Sequence, residues 1–510
     1  MFEALLAASV MLIEPMNIVA LVGGVLLGLF FGVVPGLGGV AGLALLLPFT
    51  FYLESSVAIL MMVGLFTAIS ISDIFPSILM GVPGSAGSQA TIVDGYPMTK
   101  NGEGNRALGA GFAAATFGGI VGGIVLFASL PVLRPFVLSF GSPEFFMLGL
   151  LGITMVAVLS KGSMVRGFLA AALGLAISMV GAGPQTAHLR WTFDNFYLSE
   201  GVPFIPLALG LFAIPEIIEI YVKGTSISNA GEQPRERFWF RLVFSIKDVM
   251  GNWFLALRTS VVGIVVGVIP GLGNSVVDWF AYGHALTSEP NARETFGKGD
   301  VRGVIAPETA SSSMRAGGLI PTLAFGIPGS PAMAVFMGGM LFHDIIPGPQ
   351  MLTRNLDMTL LIVLALIVAS IIGGILCIGL IRVFGKVATV PAHYIVPAIL
   401  VVCVFASFQE NWDYLDLLFL LGFSILGWSM KVGGWSRPAL VLAVVLGPIL
   451  EQYYFLSVGR FGFEWITRPA VLIIAAIIVL AFVYGFRSER RDKSKDTDTG
   501  AQSVSEGADK

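Results

Sequence analysis

The sequence predicts an all-α polytopic membrane protein with about 10–12 spans, organised as two homologous repeats. Of its 510 residues, 55% are hydrophobic and 12% are charged. The mean hydropathy of +0.86 is too high for a soluble protein of this length. In addition, the segment GVVPGLG at residues 32–38 returns as GVIPGLG at residues 267–273. Such a recurring motif predicts a duplicated fold.

The first half begins with an apolar helix over residues 18–34 that stops at a proline, and residues 40–53 resume as a second apolar piece. Each piece is shorter than the roughly 20 residues that a span needs, so we interpret the pair as a re-entrant or discontinuous helix. A longer helix over residues 57–80 then runs into a second break, GVPGS at residues 81–85. Further spans are predicted at residues 107–133, 145–160, 167–180 and 203–222.

A polar and basic segment separates the halves, and the positive-inside rule assigns it to the cytoplasm together with the basic tail. The polar composition of the tail also predicts disorder. The second half then repeats the order of the first, with a helix over residues 274–286 and another from residue 307 into the break GIPGS at 326–330. Its later spans are expected at residues 358–381, 390–408, 415–430, 439–455 and 469–486. The predicted organisation is a first repeat at residues 1–222, a cytoplasmic linker at 223–250, a second repeat at 251–486 and a tail at 487–510.

The duplication extends beyond the PGLG segments. Leu150-Leu151-Gly152 and Lys161 recur as Leu420-Leu421-Gly422 and Lys431. These matching lysines favour halves that face the same side, whereas the basic loop near Arg293 has no basic counterpart and favours inverted halves. We prefer inverted repeats, with the parallel arrangement as the alternative. Matches at a constant offset of 245 residues are Pro76 with Pro321, Gly81 with Gly326, Pro83 with Pro328, Gly84 with Gly329 and Ser85 with Ser330.

The broken helices are the predicted substrate site. Proline lacks a backbone N–H and glycine departs from helical geometry, so a break frees backbone polar groups that lipid cannot satisfy. Free N–H groups at a helix N-terminus, with the positive end of the helix dipole, suit a carboxylate. The alternative is that these small residues only let helices pack closely. The predicted substrate contacts are Gly36, Gly38, Gly39, Gly84, Ser85, Ser88, Gly271, Gly273, Asn274, Ser275, Gly329 and Ser330.

A second group of polar residues shares one face of a predicted helix, because its members are spaced i, i+3, i+4 and i+7. These members are Glu308, Ser311, Ser312 and Arg315. Ionisable residues within spans cost about 2.5–3.5 kcal/mol each, so this face needs a partner or a cavity. The alternatives are a mutual Glu308–Arg315 ion pair or a position near the interface, and a hydrogen-bonded structural role for Asp278. The predicted substrate contacts on this face are Ser311, Ser312 and Arg315. The candidates for binding a coupling cation, Na⁺ or H⁺, are Glu308 on this face and Asp73 and Asp278 elsewhere in the chain.

Other classes of protein lack their motifs. The sequence contains no HExxH, no GxSxG and no GxxxxGK[ST], which argues against an intramembrane enzyme and a primary pump. Cys377 and Cys403 lie in apolar runs without metal-ligand spacing, so we expect buried thiols. Residues 1–17 lack the basic start of a cleaved signal peptide and are expected to be retained. A passive anion channel shares apolar spans and re-entrant loops and stays an alternative. A carrier for a different small solute is a further alternative.

Several motifs occur in a characteristic order: the two PGLG segments, GVPG followed by DGYP at residues 81–97, APE at 306–308, GIPGS at 326–330 and PGP at 347–349. This set resembles the large membrane subunit of tripartite tricarboxylate transporters (the TctA family) over nearly the whole chain. The resemblance implies a secondary active transporter, not an enzyme, that takes up a small organic di- or tricarboxylate by symport across the bacterial inner membrane. It also implies an ion gradient as the driving force, with no cofactor. The implied partners are a small membrane subunit, a periplasmic solute-binding protein and the lipid bilayer, with no nucleic acid.

Overall fold

The computed structural model describes residues 1–34, 38–85, 87–158, 163–183, 188–223, 238–270, 274–387, 392–483 and 485–487. Most of these residues are helical. Within these ranges, the β-structure is one antiparallel pair, β1 (Gly181–Ala182) with β2 (Leu189–Arg190). The prediction of an all-α fold is therefore confirmed.

The helices follow one another with mostly short connections. The helices before the linker are α1 (Phe2–Ile13), α2 (Pro15–Val33), α3 (Gly39–Leu46), α4 (Ser55–Ser72), α5 (Ile74–Met80), α6 (Ile92–Lys100), α7 (Gly104–Leu138), α8 (Ser142–Val158), α9 (Met164–Ser178), α10 (Phe204–Ala208) and α11 (Ile214–Lys223), with a π-helical turn at Leu209–Ala213. The later helices are α12 (Phe238–Gly251), α13 (Trp253–Val268), α14 (Asn274–Ser288), α15 (Ala292–Thr295), α16 (Arg302–Phe325), α17 (Pro331–Phe342), α18 (Leu356–Val387), α19 (Ala392–Phe408), α20 (Tyr414–Val432), α21 (Arg437–Phe461) and a last helix at Pro469–Arg487.

Eight helices in the described ranges are long and apolar enough to cross a bilayer, or nine if the bent pair Val243–Gly251 and Trp253–Val268 forms one span. The two parts of this pair meet at 79°. The predicted number of about 10–12 is higher, because several predicted spans fold as shorter helices, such as α8 with 17 residues and α9 with 15. The prediction of a polytopic membrane protein is confirmed. The eight are Pro15–Val33, Ser55–Met80, Gly104–Leu138, Phe204–Val222, Leu356–Ile381, Tyr414–Val432, Arg437–Phe461 and Pro469–Arg487.

The chain forms two compact units. The first unit consists of residues 1–139 and 203–429, and the second consists of residues 140–202 and 430–510. Each unit thus draws on both predicted halves. Residues 224–237 of the linker and residues 488–510 of the tail lie outside the described ranges. The division into sequential repeats concerns duplication rather than packing, and it stays a prediction.

Helix α16 is the central helix of the first unit. Every residue from Gly303 to Ala324 is buried, although this stretch contains a glutamate, an arginine, three serines and two threonines. Helices α7, α13 and α14 pack against it. Since these helices cover α16, its polar side chains face protein rather than lipid, as their cost in hydrocarbon demands.

Glycines allow two helix pairs to approach in the same way. In the pair α2 and α4, a Cβ on Gly28 would overlap the carbonyl oxygen of Leu65. In the pair α13 and α16, a Cβ on Gly263 would overlap the carbonyl oxygen of Ala310. Leu65 and Ala310 are separated by the same 245 residues as the matching break motifs. Close helix approach at small residues is a common form of packing in membranes.

The GVPGS and GIPGS breaks also share their geometry. Gly81 and Gly326 end their helices in the left-handed region, with φ values of 67° and 69°, which only glycine adopts at little cost. The Gly84 amide then donates to the Ser77 hydroxyl at 3.2 Å, and the Gly329 amide donates to the Thr322 hydroxyl at 3.4 Å. The two breaks therefore share the left-handed glycine and the amide-to-hydroxyl hydrogen bond at matching positions. Full duplication of the halves and their orientation stay predictions.

Candidate functional site

Two helix N-termini that follow breaks in opposite halves lie side by side. Helix α3 begins at Gly39 after the first PGLG segment, and α17 begins after the GIPGS break. A Cβ on Gly39 would lie 3.9 Å from both the Cβ of Ala332 and the ring of Phe66. A Cβ on Gly38 would meet no atom within 4 Å, so the start of α3 is open. The positive ends of two helix dipoles thus converge beside Phe66.

Arg315 of α16 lies against the same phenylalanine. Its Nη1 donates to the carbonyl oxygen of Phe66 at 2.6 Å, and its guanidinium carbon lies 4.7 Å from the ring centroid. The side chain is 5% exposed, yet its Nε has no hydrogen-bond partner among the described residues. The ion pairs of those residues do not include Arg315, so the alternative of a Glu308–Arg315 pair is not what the structure contains. Arg315 therefore offers an unused donor on the same phenylalanine that lies beside the start of α3.

Glu308 lies two helical turns before Arg315 and is fully buried. Its Oε1 accepts a hydrogen bond from the hydroxyl of Thr91, which precedes α6 in the first half. Its Oε2 has no partner in the described part of the chain. Thr67 on α4 also has a buried hydroxyl oxygen without a partner. Because buried polar atoms are nearly always paired, these orphans mark a place where a ligand, a water or a proton is expected.

Asp73 belongs to a network of hydroxyl groups at the first break. The Ser85 hydroxyl donates to Asp73 Oδ2, and the Ser77 hydroxyl donates to the Asp73 carbonyl oxygen at 3.2 Å. Ser77 also donates to Ser88 at 2.8 Å, and Ser88 accepts from the Ser85 amide at 3.2 Å. The predicted residues Asp73, Ser85 and Ser88 are thus brought together, and Ser77 joins them.

Asp278 of α14 is held by backbone amides. Its Oδ2 accepts from Gln89 and Ala90, both at 3.0 Å, and its Oδ1 accepts from Trp279 at 2.9 Å. These bonds join the helix after the second PGLG segment to the chain after the first GVPGS break. The arrangement resembles the structural alternative considered for Asp278, since its oxygens are already engaged.

The other predicted contacts vary in position. Ser311 and Ser312 are buried on α16. Ser330 caps α17 by accepting from the Met333 amide at 3.3 Å, with Pro331 at the first helical position. Asn274 and Ser275 lie in the first turn of α14, and their side chains are outside the described part of the structure. The predicted contacts Gly36, Gly271 and Gly273 also lie outside the described residues.

Asp94 is an additional buried carboxylate that the sequence analysis did not select as a site residue. Its Oδ1 accepts from the amides of Gly297, Gly299 and Asp300 at 2.8–2.9 Å, and its Oδ2 accepts from the Tyr282 hydroxyl at 2.9 Å. It therefore ties the first half to the loop before α16. The signal in the sequence was its position at the start of the DGYP motif, between a break and a charged turn.

Asp300, in this same loop, has an altered acidity. Partial burial alone would raise the pKa of Asp300, but hydrogen bonds from Arg302 and Thr295 outweigh burial and lower it from its usual value. The Arg302 Nη2 lies 2.7 Å from Asp300 Oδ2. Asp94 accepts from amides of this loop, and Asp300 bonds to Arg302 at the start of α16. Both carboxylates thus hold the loop that leads into α16.

Charge is not balanced in the buried site. Three carboxyl groups, Asp73, Asp278 and Glu308, act on one another electrostatically, and Arg315 is the cation that acts on Asp73 and Glu308. No group of three or more histidine, cysteine or acidic residues in the described ranges could hold a metal ion. The site therefore combines an anion-attracting end at Arg315 with an acidic end at Glu308.

This fold and site define a polytopic α-helical membrane protein with charged groups enclosed in its helix bundle. The family model of the tripartite tricarboxylate transporter TctA family matches residues 18–442. The chain belongs to this family and is therefore the membrane component of a tripartite tricarboxylate transporter, a family of transport proteins that work with partner subunits.

Relatives from Agrobacterium vitis support this assignment without adding an activity. The chain is 30% identical over 488 residues to an uncharacterised 52.8 kDa protein in the TAR-I ttuC' 3' region. The aligned residues make up 94% of this chain and 95% of the relative. The chain is 28% identical over 236 residues to an uncharacterised protein in the TAR-II ttuC' 3' region, which covers 45% of this chain and 97% of that relative. No solved structure matches the chain.

Proposed function

We propose that this chain is the transport subunit of an ion-gradient-driven secondary carrier that imports a small organic di- or tricarboxylate across the bacterial inner membrane. A periplasmic solute-binding protein delivers the substrate, and a small membrane subunit completes the complex. The observation that carries the proposal is the unused Nε of Arg315, whose guanidinium packs on Phe66, the ring beside which α3 begins next to the N-terminus of α17. A guanidinium and two helix N-termini together suit an anion with more than one carboxylate.

In this proposal, one carboxylate of the substrate binds Arg315 and another binds the helix N-termini. The buried hydroxyl of Thr67 is a further donor from α4. The Phe66 ring holds the guanidinium plane, since its carbonyl and its face both contact Arg315. A monocarboxylate would use only one of the two ends and would bind more weakly.

The test is uptake of acetate, succinate and citrate by proteoliposomes that contain the complex with its binding protein. Arg315→Lys keeps the charge but removes the planar fork, so affinity for the di- and tricarboxylate should fall by about 1–3 kcal/mol, or roughly 5- to 150-fold, with a smaller effect on acetate. Arg106→Lys, at an arginine paired with Asp248 on the surface, is the matched control. An equal loss for all three substrates would leave Arg315 without a role in selecting charge.

A further inference from the structure

Glu308 has an unusual environment for an acidic residue. It is 0% exposed, it accepts one hydrogen bond from Thr91, and its second oxygen has no partner among the described residues. An ionised carboxylate in this situation would cost several kcal/mol unless a positive charge compensated it. The ion pairs of the described residues do not include Glu308. Beside it, α7 presents Gly118 next to Thr309 and α13 presents Gly263 next to Ala310.

The charged groups that act on Glu308 do not neutralise it. Asp73, at the end of α4, and Asp278, on α14, are acidic, so their negative charge repels a charged Glu308 carboxylate rather than compensating it. Asp73 has a serine donor and Asp278 has three backbone donors. Arg315 is directed to the Phe66 carbonyl and forms no ion pair with Glu308. Among the carboxylates of Asp73, Asp278 and Glu308, Glu308 is thus the one with a fully buried oxygen that has no hydrogen-bond partner in the described part of the chain.

We propose that Glu308 carries the coupling ion and that this ion is a proton. The inference rests on the proposed transport function. One proton binds the free Oε2 of the carboxylate to give the neutral acid, travels with the substrate and is released on the opposite side of the membrane, which restores the carboxylate. A metal ion would need several converging oxygen ligands, whereas the Glu308 carboxylate has one hydrogen-bonding partner among the described residues, the Thr91 hydroxyl. A proton needs only the one free oxygen.

The contact with Thr91 makes the site sensitive to this proton. With the proton on Oε2, Oε1 is the carbonyl oxygen of the acid and still accepts from the Thr91 hydroxyl, so the contact is possible in both states. It is stronger when the carboxylate is charged, because hydrogen bonds to ionised groups are roughly twice as strong. Thr91 precedes α6 of the first half and Glu308 lies on α16 of the second half. Proton binding therefore loosens a bond between the segment after the first break and the central helix.

The first experiment detects the proton without transport. Infrared difference spectra of the purified complex, recorded between pH 5 and pH 9, should show the C=O stretch of a buried carboxylic acid that disappears in Glu308→Gln. Asp73→Asn is the matched control, because it removes another fully buried carboxylate, and the Glu308 signal should remain. A signal that survives Glu308→Gln and is lost in Asp73→Asn would overturn the assignment.

The second experiment measures coupling. In the wild type, succinate affinity should fall by up to about tenfold per pH unit above the titration of a single group, and uptake should be accompanied by proton entry that a pH-sensitive dye reports. Glu308→Gln mimics the neutral state, so its affinity should be independent of pH and its uptake should carry no proton. Coupled proton entry in Glu308→Gln, or a sodium requirement that the variant retains, would refute the proposal. A Glu308 infrared signal without uptake of any carboxylate would instead refute the proposed function.

Discussion

Removing the Asp94 carboxylate should destabilise the protein more than removing any one of its partners. In Asp94→Ala, three backbone amides and the Tyr282 hydroxyl lose their shared acceptor. Bonds to a charged group contribute about 1.5–3 kcal/mol each, whereas groups that water can reach lose roughly 1 kcal/mol. Gly297 is exposed and Gly299 is partly exposed, so water can replace part of the loss there. We therefore expect a cost of about 3–5 kcal/mol for Asp94→Ala.

Two further variants separate the contributions. Tyr282→Phe removes only the hydroxyl that donates to Asp94 Oδ2, and should cost about 1.5–3 kcal/mol. Asp94→Asn keeps a carbonyl oxygen for the loop amides but loses the charge, so its cost should lie between those of the other two variants. Glu294→Ala, at an exposed acid in the same region, is the control and should change stability by less than about 0.5 kcal/mol.

Thermal and denaturant unfolding of the detergent-purified protein, followed by tryptophan fluorescence, measures these differences. The reasoning requires the order Asp94→Ala, then Asp94→Asn, then Tyr282→Phe, from largest to smallest loss. If Asp94→Ala were no more harmful than Tyr282→Phe, the amides of the loop before α16 would not depend on the carboxylate. The proposed tie between the DGYP motif and the second half would then have no energetic basis.

The remaining predictions concern packing and acidity. Gly118→Ala should reduce the yield of folded protein, because its Cβ would overlap the carbonyl oxygen of Thr309. The control Gly251→Ala, whose Cβ would meet no described atom within 4 Å, should be neutral or stabilise by up to about 1 kcal/mol. Size-exclusion profiles compare the yields of the two variants, and equal yields would argue against tight packing of α7 on α16. The pKa of Asp300 is lowered by Arg302, so its contribution to stability should be present above about pH 4 and lost as the pH falls through its folded-state value. In Asp300→Asn, the unfolding midpoint should lose this dependence on acid, and an unchanged acid profile would contradict the assignment.

Hydrophobic patterning predicted the helical, membrane-spanning class, and the proline-glycine motifs predicted where helices end. Gly81 and Gly326 are the clearest cases, because a left-handed helix end requires glycine and the requirement is visible in sequence. The number of spans was less predictable, since α8 and α9 are apolar but shorter than a bilayer-crossing helix. Apolar composition determines that a helix is buried or inserted, whereas its length and tilt depend on its neighbours.

The candidate site could be predicted only in part. The i, i+3, i+4 and i+7 spacing placed Glu308 and Arg315 on one buried helix, as the structure has them. Their partners were not predictable, because Thr91 and Phe66 are 217 and 249 residues away in the chain. The same holds for Asp94, whose acceptor role depends on a loop in the other half. Local periodicity identifies a polar face, but the groups that meet it depend on tertiary packing.

The matched breaks also show where the two halves differ. At the offset of 245 residues, Glu308 corresponds to Val63, Arg315 to Ser70, and Asp73 to Gly318. The glycines that set helix approach and helix ends recur in both halves, whereas each of these charges occurs in one half only. If these positions served only the packing that the two halves share, an uncharged residue such as Val63 or Ser70 would suffice in the second half as it does in the first. Because an uncompensated charge is costly in a buried site, packing of the repeats alone does not require these charges, whereas the proposed roles of Glu308 and Arg315 in binding the coupling ion and the substrate do.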